Sequence, residues 1–379
     1  MKKKIRVALM TYTIDGREAK GTAVVARHWT EALMKVRDRF ELTFLHYEKS
    51  HEDIYNYSVR EVIFPEIPVP LFNRRSLRMI WYFLTTRDEY DVIQWFQPRL
   101  YPLFWLAPAR HIFVAVHGAG DVVKGAPFNL MRHVFNWTLM LFKWRVSAAL
   151  VGSEFAKNDC LKHYGFAPAQ MHVVHYGVDD IFRPADRAAI LRVRQKYGLP
   201  GKFLLNIARL DPAKNALRAM KAFILFAQHS SDIDMHFVNV GWKGSEKPLV
   251  DVFLADSPLK DRIHIVKYVE TEDLPIVYSA AFALAFPLLN EGFGLPVLEA
   301  MACGTPVLCA ETAFPDVARD EAVLVDAYSE ESIADGIRRI CSDAVLRETL
   351  KERGLRKVRD FTWEASGRKF IDVYERVLE

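Results

Sequence analysis

The chain has 379 residues, 51% of them hydrophobic and 26% charged, which describes globular cores and excludes a disordered or low-complexity protein. No uninterrupted apolar run reaches the ~18 residues of a membrane-spanning helix, and a net charge of +4 is too weak to argue for nucleic acid. The charge is uneven: residues 1–184 carry 25 Lys+Arg against 18 Asp+Glu (+7), which leaves 26 against 29 (−3) in the remainder. Within 99–145 six basic residues face one acid, Asp121, which suits an anionic partner or a membrane surface.

In chain order, "MKKKIRVALMTYTIDG" imitates a signal peptide, but its apolar part is short and β-rich, so it reads as a first strand. Further strands are expected at "ELTFLHY", "YDVIQWF", "IFVAVHG" and "SAALVGS", with helical periodicity over 22–36, 75–86, 129–145 and 154–164. After residue 200 the alternation restarts with "KFLLNIA", "MHFVNVG", "RIHIVKY", "AFALAFP", "PVLCA" and "AVLVD", and helices over 215–229, 295–302 and 330–341. Such alternation predicts an α/β protein of two doubly wound, Rossmann-like domains with parallel sheets. The joint falls in "HYGVDDIFRPADRAAILRVRQKYGLPG", rich in charge, Gly and Pro. We therefore expect domains at 1–182 and 183–363, with a last helix at 364–379 crossing back to the first, and ligands in a cleft at the carboxyl ends of the strands.

Cys160, Cys303, Cys309 and Cys341 form no Cys-x-x-Cys pair, so free, mostly buried thiols in a reducing cytoplasm are expected. Asp232 and Asp234 make an Asp-x-Asp pattern, but it precedes a strand, away from the ligand edge, and reads as a turn. His172 and His175 in "MHVVHYG" are three apart in an expected strand and so face opposite sides. In "MRHVFNWTLMLFKWRV" (131–146), Phe135, Trp137, Phe142 and Trp144 alternate with Arg132, Lys143 and Arg145. A helix covering the first sheet and an interfacial helix touching anionic lipid both fit that pattern.

The chemistry concentrates in two loops. In "KFLLNIARLDPAKNALRAMKAF", Arg209 follows a strand and Lys214 precedes Asn215, a plausible helix N-cap. Two cations there suit a diphosphate; solvated loop charges would look the same. "AFALAFPLLNEGFGLPVLEAMACGTPVLCA" runs from strand to loop to helix, with Pro296 in the first turn and Gly304 at the C′ position. It holds Glu291 and Glu299 on either side of an exposed-looking Phe293. A loop acid can accept hydrogen bonds from sugar hydroxyls, and an acid a turn into the helix can reach a ribose diol. An acid favoured by the helix dipole would look similar.

"EGFGLPVLEAMACGTPV", with its Glu-x7-Glu spacing, resembles the signature of the retaining GT-B glycosyltransferases of family 4, and is closest in wording to mannosyltransferases. "VGSEFAKNDCLKHYG…MHVVHYGVDDIFRP", "IARLDPAKN", "YVETEDLPIVYSAAFALAFP" and "FTWEASGRKFIDVYERVL" are similar to further family segments, in order, from about 150 to 379; the first 150 residues match more loosely. Departures at Ala23, Leu288, Asp316 and Arg319 leave the Arg, Lys and paired Glu positions intact.

The resemblance implies that Arg209 and Lys214 neutralise the donor diphosphate. It implies that Glu291 holds donor-sugar hydroxyls, that the Gly292, Phe293, Gly294 and Leu295 backbone contacts sugar and phosphate, and that Glu299 binds the ribose. His117 of "FVAVHGAGD" would act near the reacting centre, and Gly21 in the loop 15–23 would approach the phosphates. It further implies a nucleoside diphosphate hexose donor, GDP-mannose first, then UDP-glucose or a UDP-amino sugar, and transfer with retention to a surface polysaccharide or lipid-linked glycan. No cofactor and no metal are expected. The location would be cytoplasmic, with peripheral contact at the inner face of the membrane left open. Two rivals remain: a dinucleotide-dependent oxidoreductase, which lacks Gly-x-Gly-x-x-Gly after the first strand, and a non-catalytic sugar-nucleotide sensor.

Overall fold

The computed structural model describes residues 4–14, 21–48, 59–66, 75–97, 103–118, 130–230, 234–289, 291–312 and 316–379. Most of the loop 15–23, Asp121 and Asp232 lie outside them, as do the side chains of Arg132 and Phe135. The described residues up to Tyr176, together with Trp363–Glu379, form one compact unit, and those of Gly177–Thr362 form a second. The division in the chain falls between Tyr176 and Gly177, where the sequence reading put it at 182/183.

The first unit is built on β1 (Ile5–Met10), β2 (Phe40–His46), β3 (Arg60–Ile63), β4 (Tyr90–Trp95), β5 (Ala109–Ala115), β6 (Val146–Val151) and β7 (Met171–Val173). They form one sheet in the order β3-β2-β1-β4-β5-β6-β7, parallel at every pairing, with Val7 opposite Val92 at the centre. Near-continuous burial along β1 and β6 is the mark of strands covered on both faces. The helices are α1 (Gly21–Lys35), α2 (Arg75–Thr85), α3 (Leu130–Phe142) and α4 (Glu154–Tyr164). Ser153 caps α4 by accepting from the Ala156 N–H, and Gly165 ends it in the left-handed region.

The second unit is built on β8 (Phe203–Ile207), β9 (His236–Val240), β10 (Ile263–Val266), β11 (Ala283–Phe286), β12 (Val307–Ala310) and β13 (Ala322–Val325). Its sheet runs β10-β9-β8-β11-β12-β13, again all parallel. Its helices are α5 (Arg187–Tyr197), α6 (Ala216–Gln228), α7 (Lys247–Asp256), α8 (Leu274–Ala280), α9 (Leu295–Ala302), α10 (Glu330–Ser342) and α11 (Ala344–Lys357). Counted from β8, the strand order is 3-2-1-4-5-6, that of a dinucleotide-type sheet, so the switch point lies between β8 and β11. That geometry places the loops after these two strands side by side.

The last helix, α12 (Trp363–Leu378), belongs to the first unit and lies along α1. Trp29 stacks on Phe370 with centroids 4.6 Å apart and donates from Nε1 to Ser366 Oγ at 3.0 Å. A Cβ on Gly367 would sit 2.8 Å from the Ala32 Cβ, so only glycine allows this approach. The Tyr374 hydroxyl reaches Gln94 Oε1 on β4 at 3.1 Å. Burial of these aromatic rings, each worth ~3–5 kcal/mol if truncated to Ala, holds the C-terminal segment on the first unit.

Three local expectations differ from the structure. "MHVVHYG" is a strand only over Met171–Val173, so His175 lies beyond it and the alternating-face reasoning does not apply. Asn215 stands at the N-cap position of α6, but with φ 53° and no side-chain capping bond. Its amide instead donates to Pro287 O at 2.8 Å and Ala327 O at 2.7 Å, tying together the loops after β11 and β13. Phe293 is not exposed: it is 3% accessible and packs edge-on against Phe361 at 5.8 Å.

Candidate functional site

The site residues of the second unit converge at the sheet's switch point. The segment 208–215 leaves the carboxyl end of β8, and 287–294 leaves that of β11. Leu289 N–H donates to Ala213 O at 3.1 Å, and the Asn215 bond to Pro287 O joins the two segments a second time. Across this seam Lys214 Nζ meets Glu291 Oε2 at 2.5 Å. Residues 77 positions apart are thus brought into one ion pair, half-buried on both sides.

Arg209 is held differently. Its Nε donates to Asp211 Oδ2 at 2.9 Å, while the side chain stays 67% exposed. Asp211 also accepts from the Ser245 N–H at 2.9 Å. Burial works against ionisation of Asp211, but the Ser245 amide and the Arg209 guanidinium together hold its carboxyl below the usual range. The guanidinium is therefore anchored at one edge, with its remaining donors available to an anion.

Gly294 precedes α9 at φ 97°, a conformation that excludes most side chains. Pro296 lies in the first turn and Gly304 follows the helix at φ 73°. The first amides of a helix have no partner four residues back within it and face outward, so the start of α9, at Gly294 and Leu295, presents its amino end three to four residues from Glu291.

Glu299 sits in the second turn of α9, not the first, and no acid lies in that first turn. A dipole-favoured acid is thereby excluded. Its Oε2 accepts from the Tyr278 hydroxyl on α8 at 2.7 Å. Burial pushes its carboxyl up to about 7; the Tyr278 bond pulls it down and the Asp179 charge pushes it up. Tyr278, fully buried, is itself pushed well above the ordinary phenol range, chiefly by burial, and stays protonated.

In the first unit, His117 follows β5. Its Nδ1 lies 2.8 Å from the Tyr176 hydroxyl and its Nε2 2.8 Å from Phe96 O, in the loop after β4. A carbonyl only accepts, so Nε2 carries a proton. Both ring nitrogens are engaged, and contact with a ligand would exchange one of these bonds. Gly21 is the first residue of α1, beside Thr22, which accepts from the Gln97 amide at 2.6 Å.

Sequence reasoning did not single out Tyr278, Tyr176 or Asp211. A signal existed for Tyr278: a tyrosine in an apolar run before a buried strand needs a partner for its hydroxyl. Asp234 is in a turn before the amino end of β9, the edge opposite the site loops. All four cysteines are free. Among the described residues no helix is long and apolar enough to cross a membrane.

Two parallel sheets, the second carrying cations and acids at its switch point, define a class of doubly wound α/β protein. The particular family follows from comparison. The Glycosyltransferase Family 4 model matches residues 19–181, and the Glycosyl transferases group 1 model matches 190–357. Anabaena HepE, solved in complex with UDP and glucose, superposes at TM-score 0.74 over 98% of this chain and 100% of its own, at 15% identity. The O-antigen chain mannosyltransferase B of Escherichia coli is 28% identical over 60% of this chain and 60% of its own length. The D-inositol 3-phosphate glycosyltransferase of Salinispora tropica is 34% identical over 59% of this chain and 49% of its own. The matched region thus spans half to three fifths of these relatives. The chain belongs to the family 4, group 1 glycosyltransferases and has the GT-B fold.

Proposed function

We propose that the protein transfers a hexose, with retention at the anomeric carbon, from a nucleoside diphosphate sugar to a glycan or lipid-linked acceptor of a surface polysaccharide. The observation that carries this reading is the meeting of Lys214 with Glu291 at the switch point between β8 and β11. A cation for phosphate and an acceptor for sugar hydroxyls stand there within one hydrogen bond. GDP-mannose is the first donor, in keeping with the mannosyltransferase among the relatives; UDP-glucose or a UDP-amino sugar is the alternative, in keeping with the UDP complex.

The second unit, whose bounds the sequence reading put at 183–363, is the donor domain and the first the acceptor side. When the sugar–phosphate bond breaks, negative charge grows on the leaving diphosphate. Arg209, Lys214 and the amides at the start of α9 stabilise that charge. Glu291 orients the sugar through its hydroxyls, Glu299 holds the ribose, and Gly21 lies against the phosphates. A leaving-group phosphate oxygen takes the acceptor's proton on the same face. His117 contributes near the anomeric centre by exchanging its bond to Tyr176 or Phe96. No metal is required, so EDTA leaves turnover unchanged; loss restored by manganese would overturn that point.

A thermal-shift panel of GDP- and UDP-sugars, followed by mass spectrometry of the products, tests the reading. It expects stabilisation by GDP-mannose and transfer of one hexose; a panel in which no sugar nucleotide binds refutes it. Peripheral contact with anionic membrane is proposed for α3, whose Trp137 (64% accessible) and the following Trp144 (69%) stand out from the surface near Lys143 and Arg145. Sedimentation with anionic liposomes checks it, and no binding at low salt removes it.

A further inference from the structure

We propose that Tyr278 is a positioning residue for the nucleotide, fixing the plane of the Glu299 carboxylate so that both its oxygens meet the two ribose hydroxyls. The proposal rests on the functional reading above, in which Glu299 binds the ribose.

Tyr278 is held at three points. Its carbonyl oxygen accepts from Thr305 Oγ1 at 2.7 Å. Its ring packs edge-on against Phe182 at 6.0 Å. Its hydroxyl bonds Glu299 Oε2 at 2.7 Å. The residue has no accessible surface, so the hydroxyl has a fixed direction. The terminal torsion of a glutamate is soft, and one bond from a fixed donor sets the rotation of the whole carboxylate.

A vicinal diol presents two donors at a set spacing, and a carboxylate serves both only in the right plane. Because burial keeps Tyr278 protonated, it can only donate to Glu299 when that group is ionised, which is the form a diol requires. The other titratable group acting on Glu299 is the Asp179 carboxylate, from the segment before α5; the Cys303 thiol, just past the end of α9, is itself raised by burial and by the Glu299 charge. The Asp179 carboxylate favours the protonated acid, so Tyr278 is the neighbour that favours the binding form.

The test is calorimetric titration of GDP and UDP, from pH 5.5 to 8.5 (about one unit or more either side of neutral), into the wild type, Tyr278→Phe, Glu299→Gln and the double variant. Tyr278→Phe keeps the buried ring. We expect it to weaken the better nucleotide by about tenfold, to raise KM for the donor with kcat little changed, and to move the midpoint of the pH dependence upward. In the Glu299→Gln background the same substitution has no further effect, and with the 2′-deoxynucleotide the difference between wild type and Tyr278→Phe disappears. An unchanged affinity and midpoint in Tyr278→Phe, or the same loss in the Glu299→Gln background, overturns the proposal while leaving the functional reading intact. A wild type that binds neither nucleotide overturns the functional reading and the proposal together.

Discussion

Glu291 and Glu299 lie eight positions apart on either side of one helix start, and the protein treats them in opposite ways. Glu291 is in a loop, half-buried, and neutralised by Lys214. Glu299 is on a helix, bonded by an uncharged phenol, and its carboxyl is pushed up to about 7 chiefly by burial. The difference teaches that the Glu-x7-Glu spacing joins two electrostatic environments. One acid is tied to the cation that would face the phosphates. The other is set where its own charge is costly and a ligand's hydroxyl donors would lower that cost.

The strongest way to break the comparison is Glu291→Ala. If Glu291 orients the sugar, transfer falls by about 100-fold or more, as when a single preorganised contact to the reacting group is removed. The nucleoside diphosphate should still bind. Steady-state turnover with calorimetry checks this; a variant that transfers normally but no longer binds nucleotide would mean the roles are exchanged.

Next in size is Glu299→Ala, which should weaken nucleotide affinity by roughly tenfold while kcat at saturating donor changes little. Wild-type affinity should rise with pH through about 7, because the diol is held by the carboxylate and the free protein holds a proton there. Binding below that pH releases a proton, which calorimetry in buffers of different ionisation enthalpy detects. Flat affinity across the window would remove Glu299 from the ribose.

A smaller effect sharpens the other half of the comparison. In the free protein a diphosphate must compete with Glu291 for Lys214. Glu291→Gln removes that competitor, so the free nucleoside diphosphate should bind a few-fold tighter, a gain of about 1 kcal/mol or less for a half-exposed pair. Weaker diphosphate binding in Glu291→Gln would show that the pair presents Lys214 to the phosphate instead of blocking it.

Much of this was legible in the sequence because parallel strands buried on both faces are apolar runs. Eleven strands were expected as apolar runs, at "KIRVALMT", "AFALAFP" and their like, and a twelfth at "MHVVHYG"; each is observed, the twelfth only over the three residues of β7. The one missed, β3, is an edge of the first sheet. Arg60 and Glu61 in β3 are exposed, so it makes no apolar run. The positions of Arg209, Lys214, Glu291 and Glu299 relative to strand ends were equally readable. Their partners were not. That Lys214 bonds Glu291, that Asn215 ties two loops through a left-handed backbone, and that Tyr278 reaches Glu299 are contacts made by sheet order and helix packing. Spacing along the chain carries no trace of them. Phe293 looked exposed because its neighbours are glycines, yet Phe361, 68 positions later, covers it.

The smallest expected effect concerns stability and isolates Glu299 from any ligand. Its carboxyl titrates near 7 in the folded protein against an ordinary value of 4.5. Between those values the folded state holds a proton that the unfolded state has released, so stability falls as pH rises through the window. The contribution is fully present below 4.5 and lost above about 7. Glu299→Gln, which cannot ionise and can still accept from Tyr278, should therefore flatten this part of the pH profile. At pH 8 (about one unit above the midpoint) its melting temperature should lie ~2 °C above wild type, and at pH 5 the two should nearly coincide. Glu291→Gln supplies the contrast, since it loses an ion pair and should not gain stability at the higher pH. A Glu299→Gln variant less stable than wild type at pH 8 would show that the ionised carboxylate is already compensated in the free protein, and that the two glutamates differ less than their surroundings imply.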